Sequence, residues 1–143
     1  MNLSILIISY KSITKLEKCL STIGNDKEII VVENSNNIEI KEIIESKYNN
    51  CKVIINNDNL GWSKAANIGL KEIKTQYVIL LNPDTLIKSN QFLEIENEIQ
   101  NCKEDFTLAS PFYDELIDFN NNKDFDKDLN ITKLNIDKES RKT

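Results

Sequence analysis

The stretch LSILII at Leu3–Ile8 is the first of four short apolar runs that decide the predicted fold. The other three are EIIVV, KVII and YVILL, at Glu28–Val32, Lys52–Ile55 and Tyr77–Leu81. The runs are rich in Ile and Val and show little polar alternation, which is typical of strands buried on both faces. They begin at nearly even intervals, which indicates that a strand-plus-helix unit repeats along the chain. No residue pattern recurs from one unit to the next.

Segments with helical spacing lie between and after these runs. Their apolar stripes are Ile13, Leu16, Leu20 and Ile23; Ile40, Ile43 and Ile44; Ala65, Ala66, Gly69, Leu70 and Ile73; and Phe92, Ile95, Ile99 and Cys102. The small residues of the third stripe predict a close approach of that helix to the sheet. Capping boxes at Thr14–Glu17 and Asn36–Glu39 predict where the first two helices begin.

Alternating strands and helices predict right-handed βαβ units and therefore an α/β fold. We expect three layers, α/β/α, around a mostly parallel central sheet of the Rossmann-like kind. A fifth strand is predicted at Phe106–Ala109. Residues 1–111 form the predicted domain, and residues 112–143 are predicted to be a polar tail or the start of a further unit, because apolar residues are sparse there.

Composition excludes several classes of function. The 143 residues carry a net charge of −5, which argues against a nucleic-acid partner. The chain has no histidine, which excludes Ser-His-Asp catalysis and His-ligated zinc, and its three glycines form no glycine-rich nucleotide loop. The three cysteines form no CxxC pair and are predicted to be reduced. No run approaches the ~18 apolar residues of a membrane span.

Ligands of open parallel sheets bind outside the carboxyl ends of the strands, so the loops after the four runs are the candidate site. In the fourth loop Pro83 favours an extended Asn82, and Asn82 and Asp84 would then point to the same side. Two oxygen ligands suit Mg²⁺ or Mn²⁺ with phosphates of a substrate. The alternative is that Asn82–Thr85 is an ordinary turn.

The other loops offer weaker candidates, each with a structural alternative. Glu33 could accept a hydrogen bond from a nucleobase or a ribose, or Asn34–Asn37 could be only a loop and helix cap. Tyr10 could stack on a base or pack in its loop. Lys64 could meet a phosphate or be a solvated charge. A phosphoacceptor domain of the receiver type is disfavoured, because no acidic cluster follows the first strand.

Taken in order, these loops resemble the nucleotide-sugar-binding half of family-2 glycosyltransferases, which have the GT-A fold. NLGWSKAANIG at Asn59–Gly69, followed by YVILLNPDT at Tyr77–Thr85, is similar to the rhamnosyltransferase-like branch of that family. Ile5–Tyr10 is similar to the family's first strand and loop, and VVENS at Val31–Ser35 to its second. The resemblance extends from about Leu3 to Pro111.

The resemblance implies transfer of a sugar from a UDP- or dTDP-linked donor to a hydroxyl of a glycan or lipid-linked acceptor, in polysaccharide biosynthesis and usually with inversion. It implies that Asp84, with Asn82 at the first position of a DXD-like motif, binds Mg²⁺ or Mn²⁺. Glu33 would contact the base. The implied donor-binding residues are Ser9, Tyr10, Glu33, Asn34, Ser35, Asn59, Gly61, Trp62, Lys64 and Asn67.

Two residues depart from the family pattern, since Glu33 stands where Asp is usual and Asn82 replaces a carboxylate. Family members also continue well beyond this length, into the half that carries the acceptor site and the catalytic base. We therefore expect a truncated chain with no assigned catalytic residue. A donor-binding module without catalysis, completed by a partner chain or a second copy, is the alternative. The expected location is cytoplasmic, including the inner membrane face as a peripheral protein.

Overall fold

The computed structural model of the chain describes residues 2–103, 108–111 and 134–137. They fall into two compact units, Met1–Ser89 and Asn90–Thr143. The strands are β1 Leu3–Ser9, β2 Glu28–Glu33, β3 Cys51–Ile55, β4 Tyr77–Leu81, β5 Leu108–Pro111 and β6 Leu134–Asp137, and the helices are α1 Ile13–Ile23, α2 Ile38–Lys47, α3 Trp62–Glu72 and α4 Ser89–Asn101. The boundary after residue 111 stays a prediction.

The first unit is built on a parallel sheet of four strands in the order β3-β2-β1-β4. Its register aligns Ile5 with Ile29 on one side and with Ile79 on the other. All seven residues of β1 are buried, as are the last five of β2. The four apolar runs are therefore the four strands, and the predicted α/β fold with a parallel sheet is confirmed.

Helix α3 lies directly on β1 and β2. Its buried residues are Ala65, Ala66 and Gly69, and the first two join a core cluster with Leu6 and Val32. A Cβ atom added at Gly69 would collide with the side chain of Leu6. The predicted close approach of this helix to the sheet is confirmed, and it depends on the missing side chain of Gly69.

Helices α1 and α2 lie side by side. Lys47 of α2 forms an ion pair with Glu17 of α1, and the Tyr48 hydroxyl donates to the Glu17 carbonyl at 3.3 Å. Successive crossovers through α1 and α2 move in one direction along the sheet, whereas the crossover through α3 moves back. Right-handed connections therefore place α1 and α2 on the face opposite α3, which gives the three layers.

Strand β4 differs from the prediction of burial on both faces. Its residues are half-buried, and Leu80 is 38% exposed. The reason is the strand order, because β4 is the outer strand next to β1 while α3 covers β1 and β2. An apolar run alone does not distinguish a central strand from an outer one.

The second unit contains α4 and a separate antiparallel pair, β5 and β6. The predicted fifth strand at Phe106–Ala109 is partly right: β5 begins at Leu108, and residues 104–107 lie outside the described part of the chain. β5 pairs with β6 rather than with the described parallel strands. Strand β6 falls within the predicted polar tail, of which residues 112–133 and 138–143 also lie outside the described part.

Both predicted capping boxes are wrong by one or two residues. α1 begins after Ser12, whose carbonyl accepts from the Leu16 N–H at 2.9 Å. α2 begins after Asn37, whose side chain accepts from the Glu39 N–H at 3.0 Å. Asn36 does not cap α2, because its backbone has a positive φ of 52°, outside the extended region that N-cap residues adopt.

Candidate functional site

The loops that follow β1, β2 and β3 are joined by backbone hydrogen bonds. Ser9 and Glu33 are partners in register, and the Asn34 N–H donates to the Ser9 carbonyl at 2.8 Å. The Asn56 N–H in turn donates to the Glu33 carbonyl at 2.9 Å. The strand ladder thus continues to the carboxyl edge of the sheet and brings together three of the four predicted loops.

The Glu33 carboxylate is buried at this edge with half of its hydrogen-bonding capacity unused. Oε1 accepts from the Lys11 N–H at 3.1 Å, whereas Oε2 has no partner within residues 2–103, 108–111 and 134–137. Within the same ranges the hydroxyls of Ser9 and Ser35 are likewise buried without a partner. Buried polar atoms without partners are costly and uncommon in folded proteins, so three of them around one strand edge indicate a place for a ligand.

Lys11 holds Glu33 through a strained backbone. Its φ is 49°, in the left-handed region that few non-glycine residues adopt. Such a conformation costs of order 1–3 kcal/mol and is concentrated at functional sites. The Lys11 Nζ lies 5.3 Å from the ring centroid of Tyr10, whose side chain is 46% exposed. The Tyr10 ring is therefore accessible to a ligand, which stacking on a base requires.

Asn34 fastens the third loop with all of its polar side-chain atoms. Its Nδ2 donates to Asn59 Oδ1 at 3.3 Å and to the Gly61 carbonyl at 3.2 Å. Its Oδ1 accepts from Asn56 Nδ2 at 2.8 Å and from the Leu60 N–H at 3.3 Å. Asn34 and Asn59 thus hold the loop; whether they also touch a ligand stays a prediction. Asn56 belongs to the third predicted loop, but the sequence did not single it out as a site residue; its contact with Asn34 depends on how the two strands pair.

The third loop ends at the start of α3. Gly61 is the residue before the helix, with φ of 78°, and Asn59 Oδ1 accepts from its N–H at 3.1 Å. Trp62 is 52% exposed, and Lys64 and Asn67 are also exposed, because Ala65, Ala66 and Gly69 face the sheet. A helix N-terminus with a lysine in its first turn is a favourable place for a phosphate.

The fourth loop is a turn rather than an extended stretch. The Thr85 N–H donates to the Asn82 carbonyl at 3.1 Å, which makes Pro83 and Asp84 the central residues of the turn. The argument that spacing i, i+2 aligns the side chains of Asn82 and Asp84 is therefore wrong, since it holds only for extended backbone. Both side chains are exposed.

Asp84 lies on the side of the sheet where α1 packs. The Cys19 Sγ donates to the Asn82 carbonyl at 3.9 Å. Burial, and to a lesser extent the charge of Asp84, raises the pKa of Cys19 to about 11. The loop is next to Ser9 and Tyr10 because β4 pairs with β1, with Leu81 opposite Ile7.

The oxygen ligands of the fourth loop fit a hard cation whose other ligands are water and substrate phosphates. Within the described ranges, no three Asp, Glu or Cys side chains form a cluster able to hold a metal ion. Asp84 supplies one exposed carboxylate and Asn82 one amide oxygen. That set suits Mg²⁺ or Mn²⁺, which keep waters and bind the phosphates of a substrate, and does not suit a metal enclosed by protein alone.

A concavity of about 410 Å³ lies at the opposite, amino-terminal edge of β2 and β3. None of the predicted site residues lines it. Its charged side chains are engaged with one another or with neighbours, as in the Lys27–Asp26 pair at 3.0 Å and the Lys52–Glu72 pair at 2.7 Å. The charged side chains that line this concavity are therefore already paired within the described part of the chain.

Comparison with known proteins identifies the relatives of the chain. The family model described as "Glycosyl transferase family 2" matches residues 4–141. A curated relative, the "Low-salt glycan biosynthesis hexosyltransferase Agl10" of Haloferax volcanii, is 28% identical over 114 residues, which are 77% of this chain and 36% of that protein. This chain therefore spans about a third of the length of that relative.

Solved structures share the fold. The crystal structure of S. aureus TarS matches with a TM-score of 0.55 and 24% identity, over 70% of this chain and 20% of that one. The structure of TarS residues 1–349 matches with a TM-score of 0.56 and 22% identity, over 79% and 42%. Among the described helices, none has both the length and the apolar character needed to cross a membrane.

Proposed function

Because this chain belongs to glycosyl transferase family 2, we propose that it binds a nucleoside-diphosphate sugar and takes part in transferring the sugar to an acceptor hydroxyl. The donor lies at the carboxyl edge of the parallel sheet, with UDP or dTDP as its nucleotide. The acceptor is a glycan or a lipid-linked saccharide, in keeping with the glycan biosynthesis named for the Haloferax relative. Transfer proceeds with inversion, and the chain belongs to the rhamnosyltransferase-like branch.

The buried Glu33 carboxylate is the observation that carries this proposal. Among the described residues, its Oε2 has no hydrogen-bond donor, and the hydroxyls of Ser9 and Ser35 lie unpaired at the same edge. A uracil or thymine ring offers an N–H, and ribose offers hydroxyls, that would satisfy these atoms. The exposed ring of Tyr10 adds an apolar surface on which a base can stack.

The diphosphate is placed at the start of α3. The first backbone N–H groups of this helix point to the same edge, and Lys64 in its first turn adds a positive charge near them. The approach is open at Gly61, since no described residue other than its two chain neighbours has an atom within 4 Å of the position that a Cβ would take. Trp62 and Asn67 then border the sugar.

Asp84, assisted by Asn82, would hold Mg²⁺ or Mn²⁺ against the diphosphate. When bound, such an ion offsets the negative charge of the departing nucleoside diphosphate. The acceptor hydroxyl must also lose a proton to a general base. No described residue is assigned that role, and the base is expected in sequence that matches the remaining length of the relatives.

A second candidate is a donor-binding module that performs no transfer by itself. The observation that favours it is coverage, because this chain spans 36% of the Haloferax relative. Slow hydrolysis of the sugar nucleotide by this chain would favour the enzyme, whereas binding without hydrolysis would favour the module. In the second case a partner chain or a further copy would supply the acceptor side.

The test compares Glu33→Gln with Glu28→Gln at the two ends of β2. Saturating UDP or dTDP with Mn²⁺ should stabilise the unmodified chain by about 2.7 kcal/mol at a ligand concentration of 100 Kd, measured as a rise in Tm. Glu33→Gln places an amide where the ligand needs an acceptor, so we expect most of this rise to vanish. The control variant Glu28→Gln should retain the rise in Tm. The proposal would be contradicted if neither UDP nor dTDP raised the Tm of the unmodified chain.

A further inference from the structure

The segment that carries Asp84 is fastened to the protein at both of its ends. It follows β4 and runs from Asn82 to Ile87. At its start the Asn82 carbonyl accepts from Cys19 Sγ at 3.9 Å, and at its end the Ile87 N–H donates to Thr22 Oγ1 at 3.2 Å. Between these contacts the Asp84 side chain is exposed.

Both fastening side chains belong to one face of α1. Cys19 and Thr22 are three residues apart, a spacing that puts helix side chains next to each other. The Thr22 hydroxyl donates its proton to the Cys19 carbonyl at 2.7 Å, which leaves the oxygen as an acceptor for the Ile87 N–H. Cys19 is fully buried and Ile87 is nearly so, which protects both contacts from water.

We propose that Cys19 and Thr22 are positioning residues that set where Asp84 stands at the carboxyl edge of the sheet. This rests on the proposed function, in which Asp84 holds the cation that meets the diphosphate. A short exposed turn has few contacts of its own, and its position therefore depends on its two anchors. The helix that follows the first strand thus controls the geometry of the loop after the fourth.

Thr22→Val tests the anchor at Ile87, because valine keeps the shape of threonine and removes the acceptor. The UDP affinity of the full chain is measured with and without Mn²⁺, and the ratio is the Mn²⁺-dependent gain. We expect Thr22→Val to lower this gain about five- to tenfold, the effect of losing one hydrogen bond. UDP affinity without Mn²⁺ should change less than about twofold, and Thr22→Ser should restore the gain.

Amide hydrogen exchange gives a readout that does not depend on the ligand. In Thr22→Val the Ile87 amide should exchange faster, by about the same factor as the gain falls. Thr75→Val is the matched control, since the Thr75 hydroxyl lies at the opposite edge and shares its one proton between Ser4 Oγ at 2.9 Å and the Tyr77 carbonyl at 2.8 Å. This variant should leave both the Mn²⁺-dependent gain and the Ile87 exchange rate unchanged.

Asp84→Ala separates this inference from the proposed function. If Asp84→Ala keeps the Mn²⁺-dependent gain, the metal role in the proposed function is wrong. If Asp84→Ala loses the gain while Thr22→Val keeps it, the proposed function stands and the positioning role is overturned. An equal loss of affinity with and without Mn²⁺ in Thr22→Val would also overturn it, because that result indicates general damage to the site.

Discussion

Ser4 and Ser9 lie near opposite ends of β1, and both are buried, but their hydroxyls have different surroundings. Ser4 Oγ donates to Glu28 Oε2 at 2.9 Å and accepts from Thr75 Oγ1 at 2.9 Å. In the described part of the chain, Ser9 Oγ has no partner, and Glu33 at the corresponding end of β2 keeps one oxygen unpaired. The amino edge of the sheet is therefore largely closed by its own hydrogen bonds, while the carboxyl edge is open.

The destabilising features of this fold are concentrated at the carboxyl edge of the sheet. Around the amino edge the charged side chains are paired, and Asn50 Oδ1 is the one unpaired buried atom among the described residues there. Around the carboxyl edge three such atoms and the strained backbone of Lys11 are found together. Buried groups without partners destabilise the free protein and become favourable only when a ligand pairs with them.

The largest expected effect comes from comparing two asparagines, the buried Asn34 at the carboxyl edge and the partly buried Asn50 at the amino edge. Asn34→Ala removes four hydrogen bonds and leaves Asn56 Nδ2 without its acceptor, so we expect a loss of about 2–4 kcal/mol in the free energy of unfolding. It should also abolish the Tm rise with UDP, because the third loop loses its fastening.

Asn50→Ala is the counterpart at the amino edge. It removes the contacts of Nδ2 with the carbonyls of Gly24 and Lys27, at 3.1 and 2.7 Å, and should cost about 1–2 kcal/mol. Urea denaturation measures the stability of both variants, and thermal shift measures their UDP response. Equal UDP responses in the two variants would remove the distinction between the edges.

A pH titration of stability tests how tightly the amino edge is closed. Burial, with a smaller contribution from the Glu45 charge, raises the pKa of Cys51 from 9.0 to about 12. A raised pKa in the folded state means that the stabilisation is complete below pH 9 and is lost as the pH rises from there towards 12. The slope is about 1.4 kcal/mol per pH unit for one thiol.

Urea denaturation between about pH 8 and pH 10.5 can measure this slope. Cys51→Ala should be less stable than the unmodified chain at pH 8, and the gap should narrow as the pH rises above 9. Curves that stay parallel would show that Cys51 is accessible to water, and would make the amino edge more open than the structure indicates.

The smallest expected effect is the pair Ser4→Ala and Ser9→Ala. Ser4→Ala breaks two hydrogen bonds of a closed edge and should cost about 1–2 kcal/mol in the free energy of unfolding. Ser9→Ala removes a hydroxyl with no partner among the described residues, so we expect a change within about 0.5 kcal/mol, of either sign. Chemical denaturation of both variants decides this; a larger loss from Ser9→Ala than from Ser4→Ala would reverse the comparison.

Sequence patterns predicted the elements of the first unit closely, as YVILL shows. That run was predicted at Tyr77–Leu81 and is β4 with the same bounds. The close approach of α3 was likewise predictable, because Gly69 is a local property of the chain. The predicted loops also lie at one edge, since parallel strands bring their carboxyl ends together. The start of α2 was less accurate, because the backbone of Asn36 is held by Asn56 from another loop.

The sequence by itself determined the α/β fold and the location of the candidate site, because burial of apolar runs and the direction of parallel strands follow from local patterns. Only the tertiary structure decided that Asn34 holds the third loop, that one Glu33 oxygen is left unpaired by the described residues, and that Thr22 fastens the segment after β4. These contacts join residues 22 to 65 positions apart. Their existence depends on strand order and register, and no pattern within one segment specifies those.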